Sequence, residues 1–477
     1  MPVRLPLYKQ LPLRAEAPEI FERLRDLPHP FLLDTGMLVR GLGHHSFAGA
    51  DPFLVMSCKG RQITLQQGDG KKITFTGSPM AELKKLLQCF AMPEENSILP
   101  LNGGAVGYFA YDLGRLFEAL PERAEDDLQV PDLWLGFYDT VVAVDVLSGA
   151  VTAVSTGLPE RGAAARQRAE ERLAFLTSRL DAGVHRHRSR PAAVPAAPGG
   201  RLVSNFSPAG YRAVVKRAVE YIAAGDIFQV NLSQRFCAPQ TVDSWTLYRR
   251  LREINPAPFA AFLCCGGIDI ISASPERFLR LAGGRVETRP IKGTRRRGRD
   301  PVEDDKLRRE LWQSEKDRAE LMMIVDLERN DLGRVCRVGS VRVPELCRLE
   351  EYATVFHLVS TVEGILPAGK DITDLLAAAF PGGSITGAPK IRAMEIIEEL
   401  EPVRRGVYTG SIGYLGFDGR ADLNIVIRTM LATGGNLYFQ VGGGITADSD
   451  PHMEYLETLD KARALVRALE LPGGDAF

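Results

Sequence analysis

The sequence predicts an α+β protein whose strands form antiparallel sheets. Short β-rich runs separated by turns occupy the first third of the chain, for example at residues 53–56 and 140–144. No regular helix separates these runs, as a parallel β-α-β arrangement would require. Further on, helical patterns of apolar residues alternate with more short β-rich runs. Because 477 residues are many for one compact core, we expect two or three domain-sized units.

A stretch rich in proline, alanine and glycine marks the expected boundary between two domains. It includes residues 191–200 and favours a flexible connector with polyproline character over 182–201. The predicted first domain, 1–181, is an antiparallel β/α unit that closes with a helix over about 160–180. The predicted second domain is 202–470.

The second domain begins with a helical pattern in which Pro208 lies in the first turn, where its missing N–H is not needed. A long helix is predicted over 301–325, and two more over 390–400 and 451–470. The predicted strands of this domain are 228–234, 260–272, 278–286, 410–416, 423–429 and 436–441.

Composition argues against two broad classes of function. The 59 Lys plus Arg against 60 Asp plus Glu, a formal net charge of -1, disfavour a protein that binds nucleic acid by neutralising phosphates. The longest apolar stretch, 259–273, is interrupted by two glycines and an aspartate, and the N-terminus lacks a signal-peptide core. Seven cysteines without metal-ligand spacing indicate reduced thiols. We expect a soluble cytoplasmic protein without a membrane span.

Acidic side chains on two predicted helices form a candidate site for a hard cation. Asp317 and Glu320 lie three residues apart and share a helix face. Glu454 and Glu457 share a face of the last helix with Lys461. Mg²⁺ prefers oxygen ligands and keeps waters that a substrate carboxylate can replace. From spacing alone, acids on a solvent-exposed helix surface are the simpler interpretation.

Lys292 stands where a predicted strand ends in a tight turn. Pro290 restricts the backbone before it, and Gly293 permits close backbone approach after it. A turn lysine taken alone is usually solvated. The three arginines at 295–297 either are surface charge or attract an anion.

Two more titratable residues are candidates for acid–base chemistry. Glu276 is either a general acid or an ion-pair partner of Arg277. His357 lies in an alternating, strand-like run, where a histidine is more often a satisfied core residue than a catalyst. The residue types alone do not decide between these readings.

Two glycine-rich turns offer backbone N–H groups to an anion. Residues 381–390 contain Ser384 and lead into a helix. Ala388-Pro389 stands where a nucleotide-binding P-loop has Gly-Lys, which disfavours nucleotide hydrolysis. Residues 442–444 are the second candidate, although most glycine runs are simply turns.

Taken together, the motifs resemble those of the chorismate-utilising enzymes. The similarity is dense from about residue 204 to the last helix and weaker at 30–36. It implies a two-domain α/β sandwich with antiparallel sheets packed face to face, helices outside, and an active site formed mainly by the second domain. The motifs are ISASPERF at 271–278, ETRPIKGT at 287–294, DRAE at 317–320, DLERND at 326–331, PGGSITGAPK at 381–390 and GSIGY at 410–414.

The resemblance assigns roles to residues whose spacing leaves them ambiguous, and it implies Mg²⁺ as a cofactor. Two of the acids match direct metal ligands and two match acids that act through water. The implied roles are catalysis for Lys292, Glu276 and His357, metal binding for Glu320, Glu457, Asp317 and Glu454, and substrate binding for Tyr408, Arg428, Gly444, Ser384 and Lys461.

Two positions separate the subclasses of the family. Relatives that add water to chorismate carry a lysine where this chain has Gln229, which disfavours isochorismate or salicylate formation. Anthranilate synthases have alanine at the position of Lys292, whereas aminodeoxychorismate synthases have lysine. The resemblance therefore implies amination of chorismate to 4-amino-4-deoxychorismate, in folate and para-aminobenzoate synthesis, with Lys292 as a covalent nucleophile.

The resemblance also implies a partner. No cysteine stands in the Gly-x-Cys-x-Gly setting of an amidotransferase nucleophile, so ammonia is expected from a separate glutamine amidotransferase subunit. Two alternatives stay open. One is an anthranilate synthase component, and the other is a protein that binds chorismate or tryptophan without turnover.

Overall fold

Two antiparallel sheets dominate the structure. The computed structural model describes residues 6–39, 41–94, 97–181, 201–352 and 355–470. Within these residues each sheet has twelve strands, and neighbouring strands run antiparallel, which confirms the predicted α+β class.

The strands, in chain order, are β1 (Leu7–Arg14), β2 (Phe31–Asp34), β3 (His45–Gly49), β4 (Leu54–Lys59), β5 (Gln62–Gln67), β6 (Lys72–Thr76), β7 (Gly104–Phe109), β8 (Leu133–Tyr138), β9 (Thr140–Asp145), β10 (Ala150–Ser155), β11 (Val203–Ser204), β12 (Gln229–Pro239), β13 (Phe259–Cys264), β14 (Asp269–Ser274), β15 (Arg277–Ala282), β16 (Arg285–Arg289), β17 (Ile291–Arg296), β18 (Arg342–Glu351), β19 (Val355–Ile365), β20 (Gly387–Ala388), β21 (Ser411–Gly416), β22 (Ala421–Asn424), β23 (Thr429–Thr433) and β24 (Asn436–Ile445).

The helices are α1 (Ala17–Glu22), α2 (Pro79–Cys89), α3 (Gly162–Asp181), α4 (Pro208–Ala223), α5 (Ser244–Ile254), α6 (Pro301–Gln313), α7 (Glu315–Gly333), α8 (Ile372–Ala379), α9 (Lys390–Leu400) and α10 (Pro451–Leu469). The first sheet has the order β1-β10-β9-β3-β2-β13-β14-β23-β24-β12-β11, with β20 also paired to β12. The second sheet has the order β17-β19-β16-β15-β22-β21-β7-β8-β4-β5-β6, with β18 also paired to β19.

The two sheets pack face to face, as the resemblance implied. Side chains alternate between the two faces of a strand. Val55 and Val106 of the second sheet therefore pack in one buried cluster with Val141 and Ala261 of the first. Met56, the neighbour of Val55, points the other way and belongs to a cluster that includes helix residues on the outer face. The order of layers is helices, first sheet, second sheet, helices.

Both sheets contain strands from both sides of the predicted connector. In the first sheet β2 pairs with β13, and in the second β7 pairs with β21. The connector itself lies outside the described residues, except for Arg201. The boundary that composition indicates along the chain therefore does not separate one sheet from the other.

Two predicted strands are hairpins. The run 260–272 folds as β13 and β14, and the run 278–286 falls within β15 and β16. Each turn contains a glycine pair with positive φ, Gly266-Gly267 and Gly283-Gly284, a conformation that costs glycine little. The apolar content of these runs predicted the strands correctly but not their reversal.

Two other predicted elements are divided. The helix over 301–325 is interrupted at Ser314, whose extended backbone ends α6 and whose side chain accepts a hydrogen bond from Asp317 N to begin α7. The predicted strand 423–429 is the end of β22 and the start of β23, which lie in different sheets. Arg428, with φ of 54°, lies in the crossing between them.

No helix in the described part of the chain is long and apolar enough to span a membrane.

Candidate active site

A cavity of about 180 Å³ brings together most of the predicted site residues. Its walls come from both sheets and from the turn that precedes α9. Of the predicted residues, those that line it are Glu276, Lys292, His357, Ser384, Tyr408, Arg428 and Lys461.

A bulge directs Lys292 into this cavity. In the pairing of β17 with β19, Lys292 lies opposite Leu358 and Thr294 lies opposite His357, so Gly293 is the extra residue. Gly293 has φ of 71°, and a β-carbon there would lie 2.9 Å from the Asp317 side chain on α7. Bulges of this kind turn a side chain away from the regular alternation. The bulge therefore packs closely against α7, the helix that contains the predicted metal ligands Asp317 and Glu320.

The environment of Lys292 favours its neutral form. Burial lowers the pKa of the amine, and nearby Lys461 lowers it further, against the opposing effects of Glu320 and Glu276. Lys292 Nζ lies 3.5 Å from the point where a β-carbon on Gly444 would stand, and Gln229 Nε2 lies 2.4 Å from the same point. The absence of a side chain at Gly444 therefore leaves space between the amine and the amide.

Glu276 is a buried carboxyl in the same cavity. Burial raises its pKa to about 7, although the Ser384 hydroxyl and Lys292 act in the opposite direction. The adjacent Arg277 pairs with Glu287 at 2.7 Å and with Asp422 at 2.9 Å. The ion-pair partners of Arg277 are therefore other acids, and Glu276 keeps a protonation equilibrium near neutral pH.

His357 is neutral at physiological pH. Burial lowers its pKa to about 4. Its Nδ1 atom lies 3.0 Å from the Thr294 hydroxyl, and Tyr352 packs against the ring edge to face at 4.9 Å. The ring is thus held in place while one edge faces the cavity.

Cationic and hydroxyl groups also line the cavity. Arg428 Nη1 donates to the backbone oxygen of Lys461, and burial lowers the pKa of the guanidinium. Lys461 Nζ donates to Gly442 O at 2.7 Å and pairs with Glu457 at 2.6 Å. Burial raises the pKa of Tyr408, so its hydroxyl stays protonated. These groups suit an anionic ligand.

The acids of α10 converge beside β24. Asp450 caps the helix by accepting from the backbone N–H groups of residues 452 and 453, which places the acids in the first two turns. Oε2 of Glu454 and Oε1 of Glu457 lie 3.1 and 3.3 Å from the point where a β-carbon on Gly443 would stand. Ser449 donates to Glu454 at 2.6 Å. Burial raises the pKa of Glu454, with a further rise from Glu457.

The acids of α7 face basic side chains. Burial raises the pKa of Glu320, and Lys292 and Lys316 oppose the rise. Arg295 Nη2 lies 2.9 Å from Asp317 Oδ2. The next two arginines pair with acids of α6, Arg296 with Glu303 and Arg297 with Asp304. All three arginines are therefore paired, which accounts for them without an anion.

The carboxylates of α7 and α10 are suitable ligands for a hard cation, but their oxygen atoms do not form a compact cluster. Within the described residues, no three of the four predicted acids have ligand atoms within 4.8 Å of one another. Mg²⁺ is commonly held by one or two carboxylates together with waters and substrate oxygens, so a tight cage is not needed. Glu320 on one helix and Glu457 on the other would hold it, with Asp317 and Glu454 behind them.

A comparison of the whole chain with protein families decides its class. The family described as chorismate binding enzyme matches residues 50–467, which lie in both predicted domains. The chain belongs to the chorismate-binding enzyme family. It is thus a chorismate-utilising enzyme, as the motifs indicated.

Individual relatives lie in two subclasses of the chorismate-binding enzymes. Aminodeoxychorismate synthase component 1 of Klebsiella aerogenes is 42% identical over 467 residues, covering 98% of this chain and 99% of that protein. Anthranilate synthase component 1 of Thermus thermophilus is 48% identical over 379 residues, covering 78% of each. A solved structure, anthranilate synthase component I from Streptococcus pneumoniae, superposes with a TM-score of 0.76 at 32% identity, covering 90% of this chain and 94% of that one. Identity alone does not separate the two activities.

Three polar residues of the enzyme's cavity were not predicted from the sequence. Thr294 contacts His357, and its place in the same sequence motif as Lys292 was an available signal. Asn231 and Gln440 lie on β12 and β24, which are about 200 residues apart in the chain, and Asn231 pairs with Gly444 in register. No local pattern marks these two.

Proposed function

We propose that this chorismate-binding enzyme is an aminodeoxychorismate synthase component I, which aminates chorismate with ammonia to give 4-amino-4-deoxychorismate. The observation that supports this most strongly is Lys292, a buried amine with a lowered pKa that shares a cavity with a carboxyl whose pKa is about 7. A neutral amine is a nucleophile and a protonated carboxyl is a general acid, so both pKa shifts are in the direction that amination requires.

In the proposed reaction Lys292 Nζ attacks C2 of chorismate. The C2–N bond forms as the C4–O bond breaks, with the electron pairs moving through the two ring double bonds. Glu276 gives its proton to the departing C4 hydroxyl, which leaves as water. Proton donation of this kind accelerates reactions by roughly 10² to 10⁴.

The second half restores both residues. Ammonia forms the C4–N bond, the ring double bonds return, and Lys292 leaves C2 as the neutral amine. The carboxylate of Glu276 takes the proton from the new ammonium group. The net reaction consumes chorismate and ammonia and releases 4-amino-4-deoxychorismate and water.

The remaining residues hold the substrate. Tyr408, Arg428 and the backbone of Gly444 would bind its carboxylates, with Ser384 and Lys461 beside them, and His357 would lie beneath the ring. A Mg²⁺ ion held by Glu320 and Glu457 would neutralise the ring carboxylate and so fix the ring. Holding the ring against Lys292 lowers the barrier of the chemical step, because the translational and rotational entropy of the substrate has already been lost on binding.

The proposed partner is a glutamine amidotransferase subunit that supplies ammonia. The relatives named component 1 support a two-component enzyme. The proposed setting is folate and para-aminobenzoate synthesis in the cytoplasm.

The purified chain incubated with chorismate, Mg²⁺ and an ammonium salt tests this proposal. We expect 4-amino-4-deoxychorismate, identified by mass and retention, and no turnover of glutamine without a partner. Lys292→Ala is expected to lose most of the activity, whereas Lys216→Ala, on the remote helix α4, is expected to keep it. Product formation by Lys292→Ala at the normal rate would show that the covalent role is wrong.

Anthranilate synthesis is the second candidate, favoured by the 48% identity to the Thermus thermophilus enzyme. The same assay separates the two because anthranilate synthesis releases pyruvate and gives the ortho isomer. Binding of chorismate without any turnover would indicate the third alternative, a non-catalytic binding protein.

A further inference from the structure

A second set of metal-ligand atoms lies far along the first sheet from the active site. Atoms of His44, His45 and Asp145 all lie within 4.8 Å of one another. In the described part of the chain this is the one group of three or more such residues that meets this distance. All three side chains are half-buried.

The strand pairing explains why the three residues meet. His45 begins β3 and lies opposite Asp145, the last residue of β9. His44 precedes the strand, so its ring is free of the strict alternation of β3. The rings of His44 and His45 are 4.5 Å apart between centroids, and His44 Nε2 lies 3.5 Å from Asp145 Oδ2.

We propose that His44, His45 and Asp145 bind one divalent transition-metal ion of the Zn²⁺ class. Ligands at about 2.0 to 2.1 Å from a tetrahedral zinc lie roughly 3.4 Å from one another, close to the separation of His44 and Asp145. Two imidazoles and one carboxylate favour zinc, nickel or copper over Mg²⁺, which prefers oxygen alone. Three protein ligands leave a fourth position for water.

The backbone around these residues is already held in place. Asp145 Oδ1 accepts from the N–H groups of Leu147 and Ser148 at 2.9 Å each, which leaves Oδ2 facing His44. Val146 N donates to His44 O at 2.8 Å, and the Thr35 hydroxyl donates to His45 O at 3.0 Å. Binding would therefore need only rotation of the two imidazoles. Such fixed supports around a ligand raise metal affinity.

A surface ion pair is the simpler explanation, but it does not account for His45. The pair needs only His44 and Asp145, and a second imidazole beside a charged first one is unfavourable. His45 also lines a separate cavity between the sheets, together with Thr35, Phe47 and Tyr414. A bound ion would link β3 to β9 at the edge of that cavity and stabilise it.

Zinc titration of the full chain tests the proposal. The protein is made without a histidine tag, and His185 and His187 of the connector are replaced by glutamine in every sample. It is stripped with EDTA and kept in excess Mg²⁺, so that the acids of the active site do not compete for zinc. We expect one equivalent of Zn²⁺ to bind by calorimetry and to raise the unfolding temperature.

Matched variants locate the ion. His44→Gln and His45→Gln are each expected to weaken zinc binding at least about tenfold. His452→Gln, which removes an exposed histidine on α10, is expected to bind as the parent does. X-ray absorption should show two imidazole ligands on the zinc in the parent. In each of the zinc-loaded His44→Gln and His45→Gln variants it should show one. Absence of binding, equal binding in all variants, or loss of binding in His452→Gln would overturn the proposal.

Discussion

Gly444 lies so close to Lys292, a residue of the cavity wall, that a side chain at residue 444 would fill the space between the Lys292 amine and the Gln229 amide. A β-carbon on Gly444 would lie 2.4 Å from Gln229 Nε2 and 3.5 Å from Lys292 Nζ. Both residues come from strands that reach this point independently, β17 in one sheet and β24 in the other.

Gly444→Ala is therefore expected to reduce kcat/KM for chorismate by at least about tenfold, which corresponds to roughly 1.4 kcal/mol. The new methyl group must displace the buried Gln229 amide and crowd the nucleophile. Steady-state kinetics with ammonium measure the effect. Gly333→Ala is the control, because nothing lies within 4 Å of a β-carbon there. Unchanged kinetics in both variants would contradict the placement of Gly444 in the site.

The activity should fall as pH rises above about 7. Glu276 must be protonated to donate to the leaving hydroxyl, and its pKa is about 7. Above this pH kcat/KM is expected to fall by up to about tenfold per pH unit. Glu276→Gln should be slower than the parent by roughly 10² to 10⁴ below pH 7, and the difference should narrow as pH rises. A pH profile from 5.5 to 9 tests this, and a flat alkaline limb would exclude Glu276 as the acid.

Glu276→Gln is also expected to be more stable than the parent at alkaline pH. The pKa of Glu276 is 4.5 when unperturbed and about 7 when folded, so the folded chain binds more protons between these values. Its stability contribution is therefore lost as pH rises through this window. Above pH 7 the variant's free energy of unfolding should exceed the parent's by on the order of 3 kcal/mol, and near pH 4.5 the two should be about equal. Urea unfolding at both pH values measures the difference; an equal gain at both would contradict the account.

Gly293→Ala is expected to destabilise the fold more than Gly284→Ala does. Both glycines have φ near 70°, so each alanine should cost about 1–2 kcal/mol. At residue 284 nothing lies within 4 Å of the new carbon, whereas at residue 293 it would meet Asp317 and Leu311 at 2.9 Å. Urea unfolding compares the two, and equal losses would show that the bulge does not contact α7 as described.

Arg295→Gln is expected to raise the affinity for Mg²⁺ about two- to fivefold. Arg295 pairs with Asp317 and so competes with a cation for that carboxylate. A partly exposed ion pair contributes at most about 1 kcal/mol to stability, and this limits the expected change in Mg²⁺ affinity. Calorimetry, or electron paramagnetic resonance with Mn²⁺, measures the affinity. Arg296→Gln, which removes the pair with Glu303 on α6, is the control, and the same change in both would contradict a specific role for Arg295.

The sequence alone determined the α+β class, the antiparallel pairing and the positions of α9 and α10. These follow from local patterns, namely strand-like runs without intervening helices and apolar residues at helical spacing. Long ordered motifs also determined the family. Such patterns and motifs extend over short stretches of sequence, so they can be recognised without knowing which distant residues meet.

Only the tertiary structure decided which side chains meet. Glu276, Lys292, His357 and Arg428 lie on different strands or crossings, and their shared cavity exists because two sheets pack together. The pKa values of Glu276 and His357 depend on burial by distant segments. The ion pair of Arg295 with Asp317 depends on how α7 packs against β17. The reversal at Gly283-Gly284 and the crossing at Arg428 depend likewise on which sheet receives the next strand. Desolvation and long-range contacts are properties of the packed chain, and local patterns do not specify them.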